Sequence, residues 1–187
     1  MIQNTQDRSV EMLSDALKGA RVAVCVCGGI GAVEVVKIIR ELRRHGAETT
    51  AFMTDQSKRF ITELSVEWAC DRKVVAELTS DAEHLAPFDL ILVVPATLNT
   101  ISKVALGLCD NAVTTLIGAQ LVRLKGRVLF VPAMNGDLAE HPLLPAHRER
   151  LTAWGVHFLD SERVEGRVKV VEPQKIAEAM MERWRSA

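Results

Sequence analysis

The chain has 187 residues, of which 48% are hydrophobic, and its formal net charge at pH 7 is −1. Lysine and arginine are interspersed with aspartate and glutamate, so no basic stripe is present that would follow a nucleic acid backbone. No apolar run reaches the roughly 20 residues of a membrane span. The four cysteines lack zinc-site spacing, and the N-terminus has no apolar signal core. We therefore predict reduced thiols, no metal site and a cytoplasmic location.

Short apolar runs along the chain predict the strands of a parallel sheet. They are rich in β-branched residues and flanked by polar, glycine or proline positions, which is typical of strands buried on both faces. In chain order these predicted strands are Val22–Val26, Thr50–Met53, Leu90–Val94, Val128–Val131 and a weaker fifth one, Val156–Leu159.

Amphipathic stretches between these runs predict the helices that cover the sheet. They are Ala32–His45, Asn99–Gly107, Asn111–Leu124, Pro142–Trp154 and Pro173–Arg185. Ser9–Leu17 predicts one more helix, so that residues 1–19 form a helical extension of a single domain spanning residues 1–187. The alternation of strands and helices predicts an α/β fold, a three-layer doubly wound (Rossmann/flavodoxin-like) parallel sheet with right-handed crossovers.

Ligands of such sheets bind outside the carboxyl ends of the strands, so the residues after each strand matter most for function. The first predicted strand leads into Gly28-Gly29-Ile30-Gly31, whose glycines let the backbone approach a phosphate at a helix N-terminus. A tight strand-to-helix turn explains the same glycines, and Glu34 stands where a dinucleotide fingerprint has its third glycine. After the second strand, Thr54 and Ser57 could donate to a phosphate, although Asp55 could instead bind a ribose.

Three further polar segments follow the later strands. Pro95-Ala96-Thr97-Leu98-Asn99-Thr100 comes after the third strand, and by itself it is an ordinary loop with Asn99 or Thr100 as a helix cap. Gly107-Leu108-Cys109-Asp110-Asn111 is likewise a loop that ends in a helix cap. Pro132-Ala133-Met134-Asn135 follows the fourth strand.

Taken together, these segments resemble one family closely, the homo-oligomeric flavin-containing cysteine decarboxylases. The family includes phosphopantothenoylcysteine decarboxylases, peptidyl-cysteine decarboxylases of lantibiotic synthesis, and flavoproteins with other activities such as dihydromethanopterin reductase. The resemblance covers about residues 20 to 175 and rests on five motifs in the right order and spacing: Gly28-Gly29-Ile30, Met53-Thr54 with Phe60, Pro95-Ala96-Thr97-x-Asn99-Thr100, Gly107-x-x-Asp110-Asn111 and Pro132-Ala133-Met134-Asn135.

The resemblance implies an FMN cofactor near a subunit interface of a homo-oligomer, with trimers assembling into a dodecamer or a larger shell. Met134 and Asn135 match the segment that binds the substrate carboxylate, and Asn135 is also a candidate catalytic residue. By motif match, the FMN-binding residues are Gly28, Gly29, Ile30, Thr54, Ser57, Phe60, Pro95, Ala96, Thr97, Asn99 and Thr100.

The catalytic histidine of the decarboxylases lies upstream of the third strand, where His84 is the only candidate. It lies closer to Pro95 than the family spacing requires, so an exposed loop histidine explains it equally well.

Two more departures concern the C-terminal flap and the substrate segment. The stretch 161–167 contains no cysteine, whereas decarboxylases that return a saturated thiol carry one there. Gly136-Asp137-Leu138-Ala139 replaces the usual x-x-Met-Trp after Asn135.

These departures favour a flavin site whose decarboxylation chemistry is altered. We therefore predict an FMN-dependent oxidoreductase that reduces a pterin-like heterocycle and resembles dihydromethanopterin reductase. One alternative is an FMN-dependent decarboxylase of a cysteinyl substrate, of the phosphopantothenoylcysteine or peptidyl-cysteine type, which releases an enethiol. Another alternative is a non-enzymatic FMN carrier subunit.

Overall fold

A computed structural model describes residues 6–160, 163–164 and 167–186 of the chain. Within these residues the strands are, in chain order, β1 (Arg21–Val26), β2 (Glu48–Met53), β3 (Leu90–Ala96), β4 (Val128–Pro132), β5 (Met134–Asn135), β6 (Val156–Phe158), β7 (Arg163–Val164) and β8 (Arg167–Val168). The helices are α1 (Val35–Arg44), α2 (Glu63–Cys70), α3 (Leu98–Ala105), α4 (Ala112–Gln120), α5 (Gly136–Ala139), α6 (Leu144–Ala153) and α7 (Pro173–Arg185).

The central sheet has five parallel strands in the order β2-β1-β3-β4-β6. Its two faces form separate cores because successive side chains of a strand point to opposite sides. Val22 and Val24 of β1 pack with α1, α2 and α7, whereas Ala23 and Cys25 pack with α3, α4 and α6. Every side chain of β1 after the first is buried, which explains why the strand appears in the sequence as a continuous apolar run. The predicted three-layer, doubly wound fold is confirmed.

The strand order determines where a ligand can bind. From β1 the chain first goes outward to β2 and then crosses back to β3 on the other side of β1. The connections that follow β1 and β3 therefore leave the sheet on opposite faces, and a crevice opens between them at the carboxyl edge. Crevices at such topological switch points are the usual ligand sites of doubly wound sheets.

The predicted N-terminal helix over Ser9–Leu17 is wrong. Residues 9–14 form no regular structure, and the segment instead runs across the C-terminal end of α1. The backbone N–H of Leu13 donates to the Arg44 carbonyl at 2.7 Å, and that of Leu17 donates to the His45 carbonyl at 2.7 Å. A helix end leaves such carbonyls without partners. Here the N-terminal segment satisfies them, which it could not do if its own N–H groups were bonded within a helix.

The sequence analysis missed α2, because its apolar residues do not form a distinct stripe along one side of a helix. Its start does carry a recognisable signal, because the Thr62 hydroxyl accepts the Ser65 N–H at 3.2 Å as an N-cap. The helix ends at Asp71, which adopts a left-handed conformation with φ 56°. In the part of the chain that the structure describes, no helix is both long and apolar enough to cross a membrane.

Candidate active site

A cleft of about 1520 Å³ lies at the carboxyl edge of the sheet, at the switch point between β1 and β3. Residues that follow four successive strands line it: 28–31 after β1, 54–56 after β2, 97–100 after β3 and 133–135 after β4. Residues 168–173 close one side. Typical ligand pockets have volumes of roughly 300–1,000 Å³. The cleft is thus large enough for a cofactor and a substrate side by side.

The two glycines that follow β1 serve different purposes. A Cβ added to Gly28 would lie 2.4 Å from the Cβ of Gln56 and 2.9 Å from its backbone carbonyl carbon, so the segment after β2 packs directly on Gly28. Gly29 is extended, and a Cβ there would meet nothing closer than 3.5 Å. Packing within the chain therefore requires Gly28 to be glycine, whereas the bare backbone at Gly29 leaves space beside the cleft for a ligand.

Thr54 and Ser57 shape the turn after β2 through mutual hydrogen bonds. The Ser57 hydroxyl donates to the Thr54 carbonyl at 2.6 Å, and the Thr54 hydroxyl accepts the Ser57 N–H at 3.3 Å. Ser57 is completely buried and is not part of the cleft wall, whereas Thr54 and Phe60 line the cleft. The structure therefore gives Ser57 a role in forming the turn and leaves Thr54 to face a ligand.

The segment after β3 places a helix N-terminus at the cleft. Thr97 is the N-cap of α3, because its hydroxyl accepts the Thr100 N–H at 3.4 Å, so neither Asn99 nor Thr100 has that role. Thr97, Asn99 and Thr100 all line the cleft, whereas Pro95 and Ala96 are buried in β3 behind it. The unpaired N–H groups and the positive end of a helix dipole make such a terminus favourable for an anionic group.

The sequence analysis gave no binding role to Lys103, Asp110 and Asn111, but all three line the cleft. Asn111 caps α4 by accepting the N–H groups of Val113 and Thr114, both at 3.1 Å. Lys103 binds Asp110 at 2.6 Å, and this hydrogen bond lowers the pKa of the Asp110 carboxyl group. The motif Gly107-x-x-Asp110-Asn111 was the sequence signal that pointed to this wall.

Met134 and Asn135 form β5, which pairs with β8 in a small antiparallel sheet beside the cleft. Asn135 is also the N-cap of α5, and its Oδ1 accepts the Leu138 N–H at 2.9 Å. Because Oδ1 is committed to this bond, the amide orientation is fixed and the Nδ2 hydrogens remain available to a ligand. Met134 and Asn135 both line the cleft, as predicted from the motif, and His141 lines it as well.

The structure does not bring His84 to the cleft within one chain. His84 lies in a short turn, Glu83–Leu85, that precedes β3, and its carbonyl accepts a hydrogen bond from the side chain of Gln120 at 2.8 Å. Gln120 is the last residue of α4, at the amino edge of the sheet. The cleft lies at the opposite edge, so the catalytic role of His84 stays a prediction.

None of the four cysteines, all within the described residues, lines the cleft. Cys25, Cys27 and Cys70 are buried, and burial raises the pKa of Cys27 to about 12 although a bond with the Thr100 hydroxyl acts in the opposite direction. A thiol with such a pKa is neutral at physiological pH. The predicted cysteine-free flap lies partly outside the described residues, which do not include 161, 162, 165 and 166.

Comparison with known proteins identifies the family. The sequence profile of the Flavoprotein family matches residues 11–186. The chain belongs to this family. The flavoprotein is 36% identical over 170 residues to the coenzyme A biosynthesis bifunctional protein CoaBC of Thermococcus kodakarensis, an alignment that covers 87% of this chain and 42% of CoaBC. It is 35% identical over 146 residues to the phosphopantothenoylcysteine decarboxylase of Mus musculus, covering 72% and 70% of the two chains.

Solved structures share the fold. The epidermin biosynthesis protein EpiD of Staphylococcus aureus superimposes with a TM-score of 0.73 at 26% identity, covering 84% of the flavoprotein and 98% of EpiD. A mutant PPC decarboxylase complexed with pantothenoylaminoethenethiol superimposes with a TM-score of 0.79 at 22% identity, covering 90% and 100%. The flavoprotein spans less than half the length of the bifunctional relatives that it matches.

The resemblance to flavin-containing cysteine decarboxylases is confirmed, but the prediction of a pterin-reducing oxidoreductase is wrong. The curated relatives are named as CoaBC proteins and as a phosphopantothenoylcysteine decarboxylase, and solved neighbours include a peptidyl-cysteine decarboxylase. The departures in the substrate segment and the flap therefore do not indicate another class of reaction.

Proposed function

We propose that this flavoprotein is an FMN-dependent decarboxylase of a substrate that ends in a cysteinyl carboxylate. The single observation that carries the proposal is Asn135, which lines the same cleft as the glycine-rich loop and the N-terminus of α3. Its Oδ1 caps α5, and its Nδ2 donates to no residue that the structure describes. The proposal is limited to this step, because CoaBC is more than twice as long as the aligned segment. That residues 1–187 form one FMN-binding domain stays a prediction.

FMN is the cofactor, in agreement with the family and with the FMN-binding protein AtHal3, which shares the fold with a TM-score of 0.79. The residues of the cleft fit it. The bare backbone at Gly29 leaves space that a side chain would fill, and the N-terminus of α3 with Thr97 offers donors to a phosphate. Thr54 and Phe60 complete this part of the wall. When bound, FMN supplies a two-electron acceptor for oxidation of the substrate thiol.

The reaction balances as follows. The cysteinyl thiol loses its proton to solvent, and the carbon that bears the sulfur loses a hydride, which bound FMN would accept; the product is a thioaldehyde. The bond to the carboxylate then breaks, carbon dioxide leaves, and the electron pair remains on the product as an enethiolate. Asn135 suits the carboxylate because its amide donor is neutral. A cation would stabilise the charged carboxylate more strongly than the departing neutral carbon dioxide and would oppose the step.

The fate of the product follows from the thiols of the chain. The stretch 161–167 contains no cysteine, and none of the four cysteines lines the cleft. This chain therefore offers no thiol that could assist reduction of the enethiolate to a saturated thiol. We infer that the product leaves as an enethiol, and the two electrons would remain on bound FMN until another acceptor takes them.

Anaerobic mixing of the FMN-loaded protein with phosphopantothenoylcysteine, and separately with a cysteine-ended peptide, tests the proposal. We expect one of them to bleach the visible absorbance of the flavin and release carbon dioxide. Mass spectrometry should find a product that has lost carbon dioxide and two further hydrogen atoms. The same compounds with serine in place of cysteine should have no effect. Absence of carbon dioxide with both compounds would refute the decarboxylase, and a saturated thiol product would refute only the enethiol step.

We further infer that the flavoprotein forms a homo-oligomer through the surface beside the cleft. Ile30 and Phe60 line the cleft, yet these residues are 72% and 42% exposed, and Leu64 on α2 is 76% exposed. Such exposed apolar residues mark interaction surfaces when they cluster. Assembly of several chains would cover them, which agrees with the predicted trimer.

Leu64→Glu is expected to reduce the mass of the assembly, because an interface would bury an unpaired carboxylate at a cost of several kcal/mol. Light scattering during size-exclusion chromatography measures the mass. Val122→Glu is the matched control, since Val122 is 91% exposed on the turn before β4, near the amino edge. An unchanged mass for Leu64→Glu, or an equal loss for both variants, would place the interface elsewhere.

A further inference from the structure

His141 contributes the one imidazole that the described residues bring to the cleft. It lies between α5 and α6, directly before Pro142. We propose that His141 binds the substrate carboxylate together with Asn135, by donating a hydrogen bond from Nε2. The inference rests on the proposed decarboxylation and names a second residue that recognises the group to be lost.

One hydrogen bond determines which ring nitrogen of His141 can donate. Nδ1 accepts the backbone N–H of Leu143 at 3.3 Å. A nitrogen that accepts carries no proton, so the neutral ring carries its proton on Nε2. No residue that the structure describes accepts a hydrogen bond from Nε2. Because Nδ1 is held against the backbone, the opposite nitrogen is the one presented away from the chain.

His141 and Asn135 are arranged as a pair around α5. Asn135 is the N-cap of this helix and His141 follows its C-cap residue, and the four helical residues between them span about 6 Å. In each residue a backbone N–H occupies the acceptor atom of the side chain, from Leu138 for Asn135 and from Leu143 for His141. What remains on each side chain is a donor. Two neutral donors on one short segment suit the two oxygens of a carboxylate.

Two lysines of the cleft wall are already engaged with carboxylates of the same chain. Lys103 binds Asp110 at 2.6 Å, and Lys37 binds Glu34 at 2.8 Å. These partners already offset the charge of both lysines, which weakens their attraction for a substrate carboxylate. The neutral donors of Asn135 and His141 also do not hold the carboxylate against its conversion to carbon dioxide.

Two conservative variants distinguish the roles of the two ring nitrogens of His141. In His141→Asn the side-chain oxygen takes the place of Nδ1, which keeps the bond from Leu143. The shorter amide places its Nδ2 near the position of Cδ2, so no donor remains at the position of Nε2. In His141→Gln the amide nitrogen takes the place of Nε2, which keeps the donor. The probes are phosphopantothenoylserine, which has the carboxylate but no sulfur to oxidise, and phosphopantothenoylethanolamine, which lacks the carboxylate. Calorimetry with the FMN-loaded protein gives the affinity for each.

We expect His141→Asn to weaken binding of the serine compound by about tenfold to a hundredfold, as for loss of a hydrogen bond to a charged group. Binding of the ethanolamine compound and the melting temperature should not change, and His141→Gln should restore most of the affinity. Equal losses for both probes, or no loss for the serine compound, would overturn the role of His141. If the unmodified protein prefers neither the serine compound nor a serine-ended peptide over its counterpart without the carboxylate, the carboxylate site itself is refuted, and the proposed function with it.

Discussion

Gly28→Ala is expected to destabilise the flavoprotein, whereas Gly29→Ala is expected to leave the fold intact and weaken FMN binding. The added methyl group at Gly28 would lie 2.4 Å from the Cβ of Gln56 and 2.9 Å from its carbonyl carbon. Backbone atoms cannot rotate away as the end of a side chain can, so the segment after β2 must move. Overpacking of this kind costs about 1–3 kcal/mol, and the backbone contact points to the upper part of that range.

At Gly29 the same methyl group would make only ordinary contacts, the nearest being 3.5 Å from Thr97. Its effect is therefore expected on the ligand, with an affinity for FMN lower by at least about tenfold, or about 1.4 kcal/mol. Chemical unfolding of the flavin-free variants measures the first effect, and titration with FMN by flavin fluorescence measures the second. A Gly28→Ala protein as stable as the original, or a Gly29→Ala protein that binds FMN normally, would contradict this division of roles.

The sheet could be predicted from the sequence because burial on both faces makes each central strand a continuous apolar run. Leu90–Val94 lies within the observed β3, and Pro173–Arg185 agrees with α7 to the residue. The N-terminal segment could not be predicted in the same way. Its apolar residues fit a helix, but the carbonyls at the end of α1 offer its N–H groups better partners, and only the tertiary structure brings the two together.

The motifs predicted which segments lie at the site, but not which side chains of those segments face the cleft. Thr97, Asn99 and Asn135 lie at the cleft as the motifs indicate. Ser57, Pro95 and Ala96 belong to the same motifs but are buried behind the wall, because a motif gives the position of a residue and not the direction of its side chain.

Two histidines illustrate the limit of spacing arguments. His84 precedes β3 and therefore lies at the amino edge, whereas His141 follows β4 and reaches the carboxyl edge. Their distances along the chain from the motifs did not reveal this difference, but the direction of the neighbouring strands did. His141, to which the sequence analysis gave no role, is the histidine that the described residues of a single chain bring to the cleft.

Asn135→Asp is expected to abolish decarboxylation without loss of stability. The aspartate oxygen can accept the Leu138 N–H as the asparagine oxygen does, and a negative charge at the N-terminus of a helix is favourable. The fold should therefore be as stable as that of the original protein. The amide donor, however, is replaced by a carboxylate that repels the carboxylate of the substrate. Two carboxylates placed side by side repel each other at a cost of several kcal/mol, so kcat/KM should fall by about a thousandfold or more.

The two compounds proposed for the test of His141, phosphopantothenoylserine and phosphopantothenoylethanolamine, distinguish this repulsion from a change in the shape of the cleft. Asn135→Asp should bind phosphopantothenoylethanolamine as the original protein does, because that compound has no charge at the affected end, and it should lose phosphopantothenoylserine. Asn135→Ser provides the neutral comparison, because its hydroxyl can still cap α5 but it lacks the amide. Its activity should therefore lie between that of the original protein and that of Asn135→Asp. Retained turnover in Asn135→Asp would mean that the substrate carboxylate binds elsewhere, whereas equal loss of both ligands would mean that the substitution disturbs the shape of the cleft instead of its charge.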